Sequence, residues 1–179
     1  MTRYAALLRG IMPSNPNMRG EKLRGVFSGL GYESVGSVLA SGNIVFTSSE
    51  SDTEAMEARI QDALRSELGI GGGTLLRSRD QLQALVDSDP FPGLTHGRGT
   101  YLTATFLKDP RAVAPPEPPA ELAQLVRRAG FDEGARAVLA VIDNTAASTV
   151  NHMGWLESVY GKEITTRTWL TVQKVLAKL

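Results

Sequence analysis

Apolar residues fall into short runs broken by glycine- and proline-rich stretches, and their spacing switches between the period of a strand and that of a helix. Tyr4-Ala5-Ala6-Leu7-Leu8 is almost wholly apolar, which predicts a central strand buried on both faces and ending at Arg9-Gly10. A polar loop with two prolines, Ile11 to Asn17, leads to Leu23, Val26, Phe27 and Leu30 at helical spacing, stopped by Gly31. Val35 to Thr47 reads as a β-hairpin whose arms meet at a turn on Gly42-Asn43, with Ser41 beside it. Ser51 and Glu54 have the spacing of a capping box, and Met56, Ile60, Ala63, Leu64 and Leu68 mark the buried stripe of the next helix. Gly69 and Gly71-Gly72-Gly73 break it before Thr74-Leu75-Leu76-Arg77, an expected edge strand. The order βαββαβ is the ferredoxin-like pattern, an antiparallel sheet covered on one face by two helices.

Beyond Ser78-Arg79-Asp80-Gln81, a further helix start, the pattern is less regular. It predicts a strand from Tyr101 to Leu107, a helix over 120–129 and a strand from Ala135 to Asp143. A short helix through Trp155, Leu156, Val159 and Tyr160 follows, and then a last helix capped by Thr165 and carrying Trp169, Val172, Leu176 and Leu179. This half mixes strands and helices without βαβ alternation, and no sequence repeat marks a duplication. The whole reads as α+β, with a ferredoxin-like subdomain over 1–78 and a smaller second α+β subdomain over 79–179. A proline-rich connection at 109–119 is expected, as is a C-terminal helix packing back on the N-terminal half.

Composition narrows the function classes. With 42% hydrophobic and 21% charged residues the chain is an ordinary globular sequence. It has no apolar run of membrane-spanning length and no signal-peptide pattern near Met1, so no membrane partner and a cytoplasmic location are expected. The absence of cysteine excludes disulfides, thiolate zinc sites and cysteine nucleophiles. The formal net charge is zero but unevenly spread: residues 1–25 carry five Arg or Lys against one Glu, and residues 160–179 carry four against one. If the fold brings these basic ends together, the patch attracts phosphates, carboxylates or nucleic acid.

Four segments in order resemble the DUF1697 family over nearly the whole chain. They are Ala6-Leu7-Leu8-Arg9-Gly10-Ile11, Ser41-Gly42-Asn43-Ile44-Val45-Phe46, Asp89-Pro90-Phe91-Pro92 and Thr165-Thr166-Arg167-Thr168-Trp169-Leu170-Thr171-Val172. The resemblance implies ferredoxin-like α+β subdomains and carries no known activity. Two departures bear on chemistry. The family usually continues Arg-Gly-Ile with Asn-Val-Gly-Gly, where this chain has Met12-Pro13-Ser14-Asn15-Pro16-Asn17 and so fewer amide donors. Thr168 stands where the family tends to carry Asn, a hydroxyl in place of an amide.

Arg9 at a strand end and Arg167, expected in the first turn of a helix, are the leading candidate site residues. Guanidinium groups grip carboxylate or phosphate with two parallel hydrogen bonds, and helix-start amides add donors. Gly10, Asn15, Ser41, Gly42, Asn43, Thr165 and Thr166 complete the candidate pocket, provided the two ends of the chain converge. The competing structural reading pairs Arg9 and Arg167 with carboxylates such as Glu163 or Glu33. His96 and His152 lie in unrelated contexts and read as surface histidines; neither adjoins a Gly-x-Ser-x-Gly elbow or a metal-ligand cluster. No Lys-Ser or Lys-Thr follows Gly71-Gly72-Gly73, so it is not a phosphate loop, and no cofactor motif is present. The strands lack the aromatic and basic interleaving of RNA-recognition sheets. The expectation is a binding domain for a small anionic or nucleotide-like ligand, with no catalytic residue, metal or cofactor assigned. Two alternatives stay open: an enzyme using carboxylate or hydroxyl chemistry assisted by Arg, and a nucleic-acid binder acting through the basic termini. The oligomeric state is not legible.

Overall fold

A computed structural model describes residues 1–145 and 151–179. The chain forms two compact units: Met1–Leu82 with Lys174–Leu179, and Gln83–Gln173. Each is built on a four-stranded antiparallel sheet, so the class is α+β.

In the first unit the order is β1 (Thr2–Arg9), α1 (Gly20–Gly29), β2 (Glu33–Val38), β3 (Asn43–Ser48), α2 (Thr53–Leu68) and β4 (Gly73–Ser78). The sheet order β2-β3-β1-β4 places β1 between two antiparallel partners, consistent with a ferredoxin-like arrangement. Strand alternation sends Tyr4, Ala6, Leu8, Ile44, Phe46 and Leu76 to one face. There they pack on Leu23, Val26 and Phe27 of α1 and on Met56, Ile60 and Leu64 of α2. Phe46 sits among Tyr32, Phe27 and Tyr4, with ring centroids 4.5, 5.4 and 5.7 Å away. Ala5 and Leu7, on the opposite face, are buried as well, as the unbroken apolar run of β1 requires. Helix α2 is capped by Asp52, whose Oδ1 accepts from the Ala55 amide at 3.0 Å, rather than by Ser51. It ends at Gly69, whose φ of +70° suits a residue without Cβ.

The hairpin differs from the expected one. Its connection is Leu39–Gly42, with Leu39 and Gly42 at φ of +59° and +77°. Asn43 is not a turn residue; it opens β3, pairs with Val38 and Leu7, and is fully buried.

The segment after β4 is α3 (Arg79–Asp87), begun by a reciprocal pair of bonds in which the Ser78 amide donates to Gln81 Oε1 and the Gln81 amide to Ser78 Oγ. The second unit then runs β5 (Thr100–Leu107), α4 (Ala120–Ala123), β6 (Val126–Asp132), β7 (Ala137–Asp143), α5 (His152–Tyr160) and β8 (Ile164–Thr168), followed by α6 (Trp169–Leu176). Two expectations are overturned here. The helix over 120–129 is a single turn followed by strand β6, because Val126 to Asp132 pair with β7 through a register shift between Arg128 and Gly130. Thr165 caps no helix: it lies within β8, paired with Phe106, and α6 starts only at Trp169.

With β6 and β8 in place, the second half does alternate. Its order is again βαββαβ, and its sheet order β6-β7-β5-β8 repeats the permutation of the first. The registers match residue for residue. Ala5 lies opposite Val45 and Arg77, and Ala104 opposite Leu139 and Arg167. The Leu8 amide donates to Gly42 O at 2.8 Å, and the Leu107 amide to Arg136 O at 2.9 Å.

At the end of β1, a Cβ on Gly72 would stand 1.9 Å from the carbonyl oxygen of Arg9, and the atom in contact is backbone that cannot swing away. A Cβ on Gly71 would meet nothing within 4 Å. Gly72→Ala is therefore expected to cost at least about 2 kcal/mol in urea unfolding. Gly71→Ala is expected to be neutral or mildly stabilising. Equal unfolding midpoints for the two variants would contradict this close approach.

Candidate functional site

Six of the nine sequence-predicted residues lie in the first unit, at the end of the sheet where β1 stops. Arg9 is its last residue and is half-buried, opposite Gly73 in the ladder. Gly10 follows at a φ of +76°, where a side chain would be strained. Gly42 is held against the same loop: a Cβ there would lie 2.5 Å from Ile11 Cγ1 and 3.1 Å from Leu8 Cβ. Asn15 Oδ1 accepts from the Asn17 amide at 3.0 Å and caps a short 3-10 turn, Pro16–Met18. Asn17 Oδ1 accepts from Lys22 Nζ at 2.8 Å. Asn43 Nδ2 donates to Val38 O and to Ser41 Oγ, both at 3.0 Å, so this amide stitches the hairpin connection closed.

Helix α1 begins in the same neighbourhood. Its N-cap is Arg19, which supplies no side-chain acceptor for the first-turn amides. Arg24 Nη1 donates to Ser37 Oγ at 2.6 Å, and Gly20 lies against the same hydroxyl. The segment from the end of β1 into α1 carries Arg9, Arg19, Lys22 and Arg24, and Glu21 is the one acidic residue between positions 9 and 24. Amides at a helix start and guanidinium groups both favour an anion.

Thr165, Thr166 and Arg167 lie on β8 in the second unit. Thr165 and Arg167 share a sheet face with Phe106 and Ala104, their cross-strand partners. Thr166 points to the other face, with its Oγ1 2.8 Å from Thr105 Oγ1 and 2.9 Å from Met153 Sδ. Arg167 is buried, and its Nη1 donates to Thr165 Oγ1 at 2.7 Å and to Thr166 O at 3.0 Å. Burial pushes this guanidinium down to about 10, which leaves it charged at neutral pH. Glu163, a suggested partner for the two arginines, instead pairs with Lys108 at 3.1 Å.

Sequence reasoning missed Arg77. It is fully buried on β4, with Nη1 donating to Leu76 O at 2.6 Å, and its place opposite Ala5 matches that of Arg167 opposite Ala104. The signal was present as a weak repeat. Arg77-Ser78 is followed by Leu82 and Leu85, and Arg167-Thr168 by Val172 and Val175 at the same offsets. All four of those apolar residues are buried.

The basic ends of the chain meet at Arg3, away from Arg9. Its Nη2 donates to Lys178 O at 2.8 Å, its Nε to Leu179 O at 3.3 Å, and its Nη1 to Ser34 O and Thr47 Oγ1. These donors are spent on protein acceptors, which weakens the reading of the termini as a nucleic-acid patch. One of the two histidines also differs from expectation. His96 Nδ1 accepts from the Leu102 amide at 3.1 Å, and His152 is buried rather than on the surface. Among the described residues, no cluster of three or more His, Asp or Glu side chains is placed to hold a metal, and no helix is long and apolar enough to cross a membrane.

A family model described as a protein of unknown function (DUF1697) matches residues 1–142. Among solved structures, the chain is similar to the conserved bacterial protein SP0830 from Streptococcus pneumoniae, with a TM-score of 0.68 at 22% identity, covering 99% of this chain and 98% of that one. At that identity the likeness shows a shared fold. No curated protein matches the chain.

Asn43 is buried with both amide protons engaged. Asn43→Ala leaves the Val38 carbonyl and the Ser41 hydroxyl short of a donor, for an expected loss of about 1–3 kcal/mol in chemical denaturation. A variant as stable as the parent would show that this amide is not what closes the hairpin.

Proposed function

The chain belongs to the DUF1697 family of proteins of unknown function, and we propose that its N-terminal unit binds a small anionic ligand, bearing phosphate or carboxylate, at the end of β1. The observation that carries this reading is a contrast between the two copies of one plan. At the end of β5 the basic residue is Lys108, and the facing strand supplies Glu163, whose carboxylate takes up its ammonium and whose carbonyl accepts the Lys108 amide at 3.1 Å. At the end of β1 the corresponding basic residue is Arg9, and the facing position is Gly73, in the run Gly71-Gly72-Gly73. The two copies thus differ in the residue set opposite the basic side chain at this one ladder position.

The change from Lys to Arg points the same way, because a guanidinium presents a planar fork that fits an oxyanion. Gly10 packs on the backbone of Gly72 and Gly42 on the side chains of Ile11 and Leu8, so the two glycines fix the backbone around this end of the sheet. Arg19, Lys22 and the opening amides of α1 add positive potential from a second element. Ser41 and Asn43 shape the adjoining connection, and Asn15 fixes the loop.

Isothermal titration with inorganic phosphate, pyrophosphate, AMP and citrate tests the reading. One saturable site per chain is expected for at least one of these anions, weakening as salt is raised. Arg9→Ala is expected to weaken it about 10- to 100-fold, the worth of a charge-assisted hydrogen-bond pair. Lys108→Ala is expected to leave it unchanged. The reading fails if no anion gives saturable heat, or if the Arg9 variant binds like the parent.

A further inference from the structure

His152 opens α5 and is 5% exposed, yet neither ring nitrogen has a hydrogen-bond partner among the described residues. A buried imidazole without acceptors or donors is a cost that a well-packed helix start does not need. We propose that His152 is a pH-sensitive latch: in its neutral form it seats the first turn of α5 on the second sheet, and on protonation it leaves its site and releases that turn.

Three features of the site support this. The first is position. The ring occupies the first residue of a helix, the positive end of the helix dipole, where a cation is disfavoured. Asn151 caps the same turn through Oδ1, which accepts from the Gly154 amide at 3.0 Å, so movement of His152 disturbs the cap directly.

The second is the absence, among the described residues, of a counter-ion on the face that α5 covers. Leu156 packs there on Leu107, Val138 and Ile164, and the strand registers place Thr103, Thr105, Ala140, Thr166 and Thr168 on that same face. Its ionisable members are Tyr101, stacked on His96 at 5.0 Å, and Arg128, which donates to Pro115 O and to Glu117. On the neighbouring segments Lys108 pairs with Glu163 and Asp109 with Arg111, and on α5 itself Tyr160 donates to Val113 O while Glu157 lies five residues on. None of these groups moves the ring's titration; burial alone pushes it down to about 4.

The third is a built-in reporter, since the Trp155 ring lies 5.8 Å from the imidazole at an interplanar angle of 31°.

The sign follows from linkage. The folded value lies below the unfolded value of about 6.5, so the seated turn is fully stable above that pH and loses stability as pH falls toward 4. An NMR titration of the intact chain from pH 7.5 to 3.5 tests it, following the ring Cε1–H of His152 and the amides of Gly154, Trp155 and Val138. The His152 ring is expected to titrate well below pH 6, with the Gly154 and Trp155 amides losing their native shifts over the same range while Val138 keeps its own. In His152→Leu those two amides are expected to stay native across the range. A ring that titrates near 6.5, amides that hold while the ring charges, or the same opening in His152→Leu would each overturn the proposal. The first two readouts need only the parent protein.

Discussion

The close approach of two backbones at the end of β1 is the constraint on which the first unit depends. Gly72 lies so near the Arg9 carbonyl that no side chain fits between them. β4 can therefore run up to the last residue of β1, and the ladder extends from Tyr4–Ser78 to Arg9–Gly73. β1 is an interior strand, so the same closure sets the opposite ladder, where Leu7 meets Asn43 and the Leu8 amide reaches Gly42 O. The hairpin connection, the loop after Gly10 and the start of α1 then have little freedom left. What remains at that end is a rim of backbone and cationic side chains, because the residues that permit the closure are those without side chains.

The second unit reaches the same topology with different chemistry. Arg136, at a φ of +49°, stands where the first unit has Gly42, and Glu163 stands where it has Gly73. In each copy a buried arginine faces an alanine of the first strand, Arg77 across from Ala5 and Arg167 across from Ala104. Burying a guanidinium carries a desolvation cost of several kcal/mol unless its donors are met. Both meet acceptors on their own strand, Arg77 at Leu76 O and Arg167 at Thr165 Oγ1 and Thr166 O. Repetition of a costly feature at one register position in both copies marks it as part of the plan and sets it apart from the rim residues, which differ between copies.

The ferredoxin-like first half was legible because its elements advertise themselves. β1 is an unbroken apolar run, α2 has an acidic cap and a glycine stop, and a glycine run opens β4, which Ser78 closes by starting α3. The second half was not, for identifiable reasons. Val126-Arg127-Arg128-Ala129 carries helix formers, and only pairing with β7 turns it into an edge strand. Ile164-Thr165-Thr166-Arg167-Thr168 is polar enough to read as a helix cap, and its strand character comes from hydrogen bonding to β5. With those two strands misread, the duplication could not be seen. In the candidate site, Arg9 and Gly42 stood out by residue type. Arg77 did not, because an arginine at a strand end gives no sign of burial until the sheet is assembled. The burial of His152 was equally invisible, since a lone histidine in a polar stretch is usually exposed.

Backbone chemical-shift mapping during a phosphate titration tests the account most directly, because the second unit serves as an internal control. The account predicts perturbations confined to Gly10, to the first-turn amides of α1 from Gly20 to Lys22, and to the Ser41-Gly42 connection, with the amides of Lys108 and Glu163 unmoved. Perturbation of Lys108 and Glu163 to the same extent, or a spectrum that phosphate leaves unchanged throughout, would contradict it.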